Sequence, residues 1–199
     1  LHKHLLITKQ LLKTHLIKNK KKIINVKIHN SPKIGRVNGI WASELGISGI
    51  LPIEASWMPS TNIMELKLTG MLGNVMQESI NISSTLAWKL IPTNIKQSLH
   101  SKWNNNTLDK GIHIHCPDGQ SPKDGPSAGG AFTLALISLF CNIPIKNNVA
   151  LTGEINLDGN ITAIGALEEK LFGAKNANVN LVLYPHENEN DMKLILSKY

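Results

Sequence analysis

Apolar positions change their period along the chain, and each change marks an element. Residues 5–17 set Leu5, Leu6, Leu11, Leu12, Leu16 and Ile17 at loose helical spacing, with no acidic residue in any turn. From Ile34 the composition shifts to glycine and β-forming residues. The runs 49–55 and 63–68 read as strands joined by the loop Pro59-Ser60-Thr61-Asn62. In the second run Met64, Leu66 and Leu68 alternate with Glu65, Lys67 and Thr69, the pattern of a sheet with one wet face. Gly70 ends that strand and residues 73–90 return to helical spacing. Residues 91–110 are polar, and Asn104-Asn105-Asn106 marks a loop.

Residues 111–116 set Ile112, Ile114 and Cys116 against His113 and His115, a short strand with both imidazoles on one face. A loop rich in proline and glycine covers 117–126, and an apolar helix follows over 127–141. Residues 149–151 form a strand, and 155–164 fold back around Asp158-Gly159, a strong hairpin signal. A helix over 166–174, a buried strand over 181–184 and a last helix after Pro185 complete the chain. Strands and helices mix without a repeating βαβ period, so the expected fold class is α+β: a compact mixed sheet-and-helix domain over 31–199, preceded by a basic helical leader over 1–30.

Composition narrows the function. With 199 residues the chain suits one domain that needs neither disulfide nor metal to fold. Its longest apolar run, 131–141, is too short to cross a bilayer, so no membrane partner is expected. Two cysteines, Cys116 and Cys141, are too few for a disulfide framework and read as reduced, buried small hydrophobes. No secretory signal opens the chain, and its start at Leu1 rather than Met suggests a piece of something longer. The net charge of +7 belongs to the leader: residues 1–30 hold eight lysines and no acid, while the other 169 carry 13 basic and 14 acidic groups. The run Lys18-Asn19-Lys20-Lys21-Lys22 allows a weak nucleic-acid contact, against the alternative of a solvated linker.

Two residues stand out chemically. Ser127 falls at a loop-to-helix junction, where Asp124 can cap the helix and Pro126 fits its first turn. A hydroxyl there lies beside free N–H groups able to hold an oxyanion, and Ala128, Gly129 and Gly130 leave room for a substrate backbone. A plain turn serine fits the same local sequence. Lys170 lies beside the stripe Leu167, Leu171 and Ala174 of its helix, so it either snorkels to water or is held inside. A buried lysine loses proton affinity and can then accept a serine proton near neutral pH.

Other chemistries fit less well. Gly125-Pro126-Ser127-Ala128-Gly129 matches the nucleophile elbow of α/β-hydrolases, but that motif needs a strand running into the serine, and here a proline-rich loop does. Ser-x-x-Lys does not occur around Ser127, and Ala131-Phe132 follows where a P-loop needs Lys and Ser/Thr, so this chain binds no ATP that way. His113 and His115 lack a third zinc ligand at recognisable spacing.

Longer blocks carry a resemblance. Residues 117–129, ending Lys123-Asp124-Gly125-Pro126-Ser127-Ala128-Gly129, are similar to the active-site segment of the Lon proteases, in the bacterial and organellar branch. Leu151-Thr152-Gly153-Glu154-Ile155 and Gly165-Ala166-Leu167-Glu168-Glu169-Lys170-Leu171 resemble that family's next two blocks, at a fitting separation of 43 residues from Ser127 to Lys170. Val37-Asn38-Gly39-Ile40, Leu68-Thr69-Gly70, residues 72–79, residues 112–115 and Leu183-Tyr184-Pro185 fit as well. The resemblance implies a serine endopeptidase acting through a Ser127–Lys170 dyad, with Thr152 bonded to the lysine amine and Glu54, His115 and Asp124 around the site. It further implies unfolded protein or peptide substrates, a homo-hexamer, residence in the cytoplasm or mitochondrial matrix, and ATP and Mg used by an upstream ATPase module whose tail would be residues 1–30. This chain itself is expected to hold no cofactor and no metal. The alternative is a Lon-like scaffold that forms rings without cutting. Two departures are visible: Glu168 stands where the family carries a lysine, and the stretch from Met76 to His113 is several residues longer than usual.

Overall fold

The computed structural model describes residues 26–117 and 122–199. All but the end of the expected leader, including Lys18–Lys22, lies outside the described residues, as does part of the loop 117–126. A long hairpin organises the rest. Strands β1 (Arg36–Ala42) and β2 (Ser48–Met58) pair antiparallel, from Arg36 opposite Glu54 to Ala42 opposite Ser48. Strand β3 (Leu66–Thr69) leads into helix α1 (Asn74–Leu90) and then α2 (Thr93–Asn104). Strand β4 (Gly111–His115) returns between β2 and β3, antiparallel to the first and parallel to the second.

The chain then forms α3 (Gly129–Cys141), β5 (Val149–Leu151) and the small ribbon β6 (Glu154–Ile155) with β7 (Ile161–Thr162). Helix α4 (Leu167–Asn176), edge strand β8 (Leu181–Leu183) and α5 (Glu189–Leu196) complete it. The six-stranded order is β3-β4-β2-β1-β5-β8, mixed in direction, which is the expected α+β architecture.

Side chains alternate across a strand, so the sheet has two unlike faces. Val37, Leu51, Ile53, Ala55, Ile112 and Ile114 face α1 and α3 and join Met76, Ile80, Ala131, Phe132 and Leu136 in one core. Enclosing each large side chain there stabilises the fold by roughly 1.5–3 kcal/mol. The opposite face is thin. Ile40, Ala150 and Ala174 form its buried centre beneath α4. That helix can sit so close because residue 173 is glycine: a Cβ there would stand 2.5 Å from the Gly49 nitrogen.

Four elements depart from their expected form. Residues 93–104 are helical although their sequence is polar, because Leu99 and Trp103, one turn apart, suffice to dock α2 on the core. Strand β3 begins later than residue 63, since Met64 turns the chain with φ 58° and donates its N–H to Lys110. The helix expected from 127 begins at Gly129, leaving Ser127 in a turn. Strand β8 is half exposed rather than buried, because it is paired on one side only. Cys116 is fully buried, and burial pushes its thiol up to about 12, whereas Cys141 at the end of α3 is only half-buried.

Candidate active site

Ser127 is held from two sides in the turn ahead of α3. Its carbonyl accepts the Gly153 N–H at 2.7 Å and the Thr152 hydroxyl at 3.2 Å, while the Gly130 N–H returns to the Gly153 carbonyl at 3.0 Å. These bonds tie the turn to the end of β5. From behind, Ser79 and Ser83 of α1 reach the turn: Ser83 donates to the Gly129 carbonyl at 3.1 Å and Ser79 Oγ lies 3.4 Å from that of Pro126. Gly129 and Gly130 were expected to leave space for substrate, but their α-carbons face inward. A Cβ on Gly129 would lie 2.8 Å from Ile155, and one on Gly130 would lie 3.2 Å from Leu151. They let α3 pack against its neighbours. Among the described residues, the N–H groups of Ser127 and Ala128 make no hydrogen bond.

Lys170 comes to the turn from α4. The buried face of α4 is Leu167, Lys170, Gly173 and Ala174, so the lysine occupies the centre of that face, while Leu171 is only half-buried. It is 4% exposed, and its Nζ lies 3.1 Å from Ser127 Oγ and 3.3 Å from Thr152 Oγ1. Both partners are neutral hydroxyls. With no counter-ion in contact among the described residues, burial lowers its pKa from the usual 10.5 to about 8. Thr152 is fully buried and touches both groups, its hydroxyl lying between the amine and the Ser127 carbonyl.

The other expected residues bond to other partners. Asp124 does not cap α3, whose N-cap is Ala128 and has no side-chain bond. Its Oδ1 instead accepts the Met76 N–H at 2.9 Å, so it caps the first turn of α1 from outside that helix. Gly73 makes the approach possible, since a Cβ there would lie 2.4 Å from the Asp124 carboxyl carbon. Glu54 is engaged by Arg36, its register partner across the β1–β2 hairpin. His115 pairs in register with Glu54 but turns its Nδ1 to the Thr69 hydroxyl at 2.7 Å, which His113 Nε2 also meets at 2.9 Å. Burial, then Lys67 and His115, lower the His113 pKa. The structure therefore brings together Ser127, Lys170 and Thr152, and none of Glu54, His115 and Asp124 bonds to them. The contacts of Thr69 and Arg36 leave no local trace in the sequence, because strand register decides them.

A hydroxyl against a buried, uncompensated amine is the arrangement of an activated serine nucleophile. Comparison with known proteins gives the family. Residues 6–199 match the family described as the Lon protease (S16) C-terminal proteolytic domain.

The chain belongs to the Lon proteolytic-domain family.

This is a family of serine proteases. The chain is 37% identical over 200 residues to a Lon protease homolog of Acanthamoeba polyphaga mimivirus, covering 98% of this chain and 19% of that protein. It is 40% identical over 185 residues to the Lon protease of Buchnera aphidicola from Acyrthosiphon pisum, covering 89% and 22%. It is 41% identical over 170 residues to that of Vibrio parahaemolyticus, covering 85% and 20%. The chain thus spans about a fifth of the length of these curated relatives. Glu168, the departure beside the lysine, has a partner in this chain: it accepts hydrogen bonds from Lys198 and from the Tyr199 hydroxyl, which hold its carboxyl below the usual range. Among the described residues, no helix is long and apolar enough to cross a membrane.

Proposed function

We propose that this Lon domain cuts peptide bonds through a Ser127–Lys170 dyad. The observation that carries the reading is the 3.1 Å approach of a buried Lys170 amine to the Ser127 hydroxyl. In the neutral form Lys170 takes the serine proton, and the alkoxide adds to a peptide carbonyl. The N–H groups of Ser127 and Ala128, unbonded among the described residues, are the donors available to the resulting oxyanion. The ammonium then gives its proton to the departing amine. Water then gives a proton to the neutral Lys170 amine and adds to the acyl carbonyl, and the Lys170 ammonium returns that proton to the Ser127 oxygen as the acid product leaves. Thr152 keeps the amine aimed at Ser127 throughout.

The larger assignments are inferred from the resemblance to Lon proteases. Residues 31–199 are the cutting module, and residues 1–30, most of which the family match also takes in, lead to it from an ATPase module in which ATP and Mg act. The whole protein works on unfolded proteins as a ring of six, in the cytoplasm or mitochondrial matrix, while Lys18–Lys22 make at most weak contacts with nucleic acid.

Hydrolysis of an unstructured fluorogenic peptide tests the dyad. Ser127→Ala and Lys170→Ala should each abolish turnover above background while leaving the fold intact by circular dichroism. Wild-type turnover in Lys170→Ala would reject the assignment.

A further inference from the structure

Lys170 reaches Ser127 only if α4 starts at the right place and in the right phase. That start is held from the far end of the chain. Asn188 closes the 3-10 turn His186–Asn188 that precedes α5, and it is 2% exposed. Its side-chain amide grips one residue on both sides: the Ile164 N–H donates to Asn188 Oδ1 at 2.9 Å, and Asn188 Nδ2 donates to the Ile164 carbonyl at 2.9 Å. Nδ2 also donates to Asp191 at 2.7 Å, and the neighbouring Glu187 accepts the Ala163 N–H at 2.7 Å. A buried amide with both of its ends paired is fixed in place, because leaving any of these groups unpaired is costly.

The chain between this clamp and the lysine has little freedom. Two residues after Ile164, Ala166 takes the left-handed φ of 57° that turns the chain into α4. Its carbonyl accepts the Lys170 N–H at 3.0 Å, which closes the first turn of the helix. A clamp at 164, a fixed turn at 166 and a helical bond at 170 therefore run in unbroken succession.

We propose that Asn188 is a positioning residue for the dyad: by gripping both backbone groups of Ile164 it sets the start of α4 and so holds Lys170 Nζ against Ser127 Oγ. This inference rests on the dyad reading above. Asn188 bonds to neither residue, and its effect is purely geometric. A displacement of about 1 Å between reacting groups costs on the order of a hundredfold in rate.

The test compares peptide turnover against pH in the full chain for wild type, Asn188→Ala and a core truncation remote from α4, Leu99→Ala. All three are measured where circular dichroism shows them folded. Asn188→Ala should lower kcat by roughly ten- to a hundredfold with little change in KM. Its pH midpoint should also rise, because a lysine freed from its buried seat regains proton affinity. Leu99→Ala should keep the wild-type midpoint. If Asn188→Ala fails to fold, the exchange Asn188→Asp/Asp191→Asn serves, since it preserves local charge and the Ile164 N–H acceptor but removes the donation to the Ile164 carbonyl. It should shift kcat and midpoint in the same directions. An unmoved midpoint with wild-type kcat in whichever variant folds would overturn the proposal, and so would a loss of activity that Leu99→Ala reproduces. Failure of the dyad itself is read separately, from Lys170→Ala, which would then retain turnover.

Discussion

At the residue scale, neither Ser127 nor Lys170 declares itself. A serine in a proline-glycine turn and a lysine on an amphipathic helix both have ordinary explanations, and the choice between them depends on what lies across space. The structure answers for the lysine with burial and two hydroxyl neighbours. Its depressed pKa has a consequence for stability. Below pH 8 the folded chain must carry a desolvated ammonium that the unfolded chain carries in water. Between about 8 and 10.5 the folded amine is neutral while the unfolded one stays protonated, so stability climbs with pH through that window. Lys170→Met should therefore stabilise the chain at pH 7 by on the order of 2 kcal/mol, allowing for solvent near the amine. The gain should shrink as the pH rises from 8 to 10.5. Urea titrations of both proteins across that range measure it, and a gain independent of pH would mean that the lysine is not charged at a penalty below pH 8.

At the element scale, periodicity delivered most strands and helices but misjudged where some begin. The lesson of α3 is physical: Pro126 and Asp124 look like a helix start, yet the chain spends Ser127 and Ala128 in a turn and lends the aspartate to α1. A cap donated across space leaves no local trace. Helix α2 was hidden for the opposite reason, since two buried side chains on a polar helix fall below any periodic signal. The shared cap makes a quantitative prediction. Asp124→Ala should cost about 1 kcal/mol, the usual value of a lost N-cap. Gly73→Ala should cost a similar amount, because its methyl group would displace the same carboxylate. The double variant should cost no more than either alone, by denaturant titration. Additive losses would mean that the two positions act independently.

At the scale of the whole molecule, the site is an assembly of distant segments. The turn at 127, the end of β5 at 152 and the helix at 170 meet because β5 runs parallel beside β1, while α3 and α4 lie on opposite faces of the sheet. The α+β class was legible in the sequence from mixed periodicity, and the meeting of Ser127 with Lys170 from blocks resembling those of Lon proteases. The bonding of Glu54, His115 and Asp124 was not, because strand register and loop packing decide it. Activation of Ser127 by Lys170 is read from the rate at which a fluorophosphonate labels Ser127 as a function of pH. In the wild-type chain the rate should rise through a midpoint near 8, the pKa that burial gives Lys170. Labelling should be absent in Ser127→Ala and lose both its speed and that midpoint in Lys170→Ala. An unchanged rate and pH profile in Lys170→Ala would contradict the account.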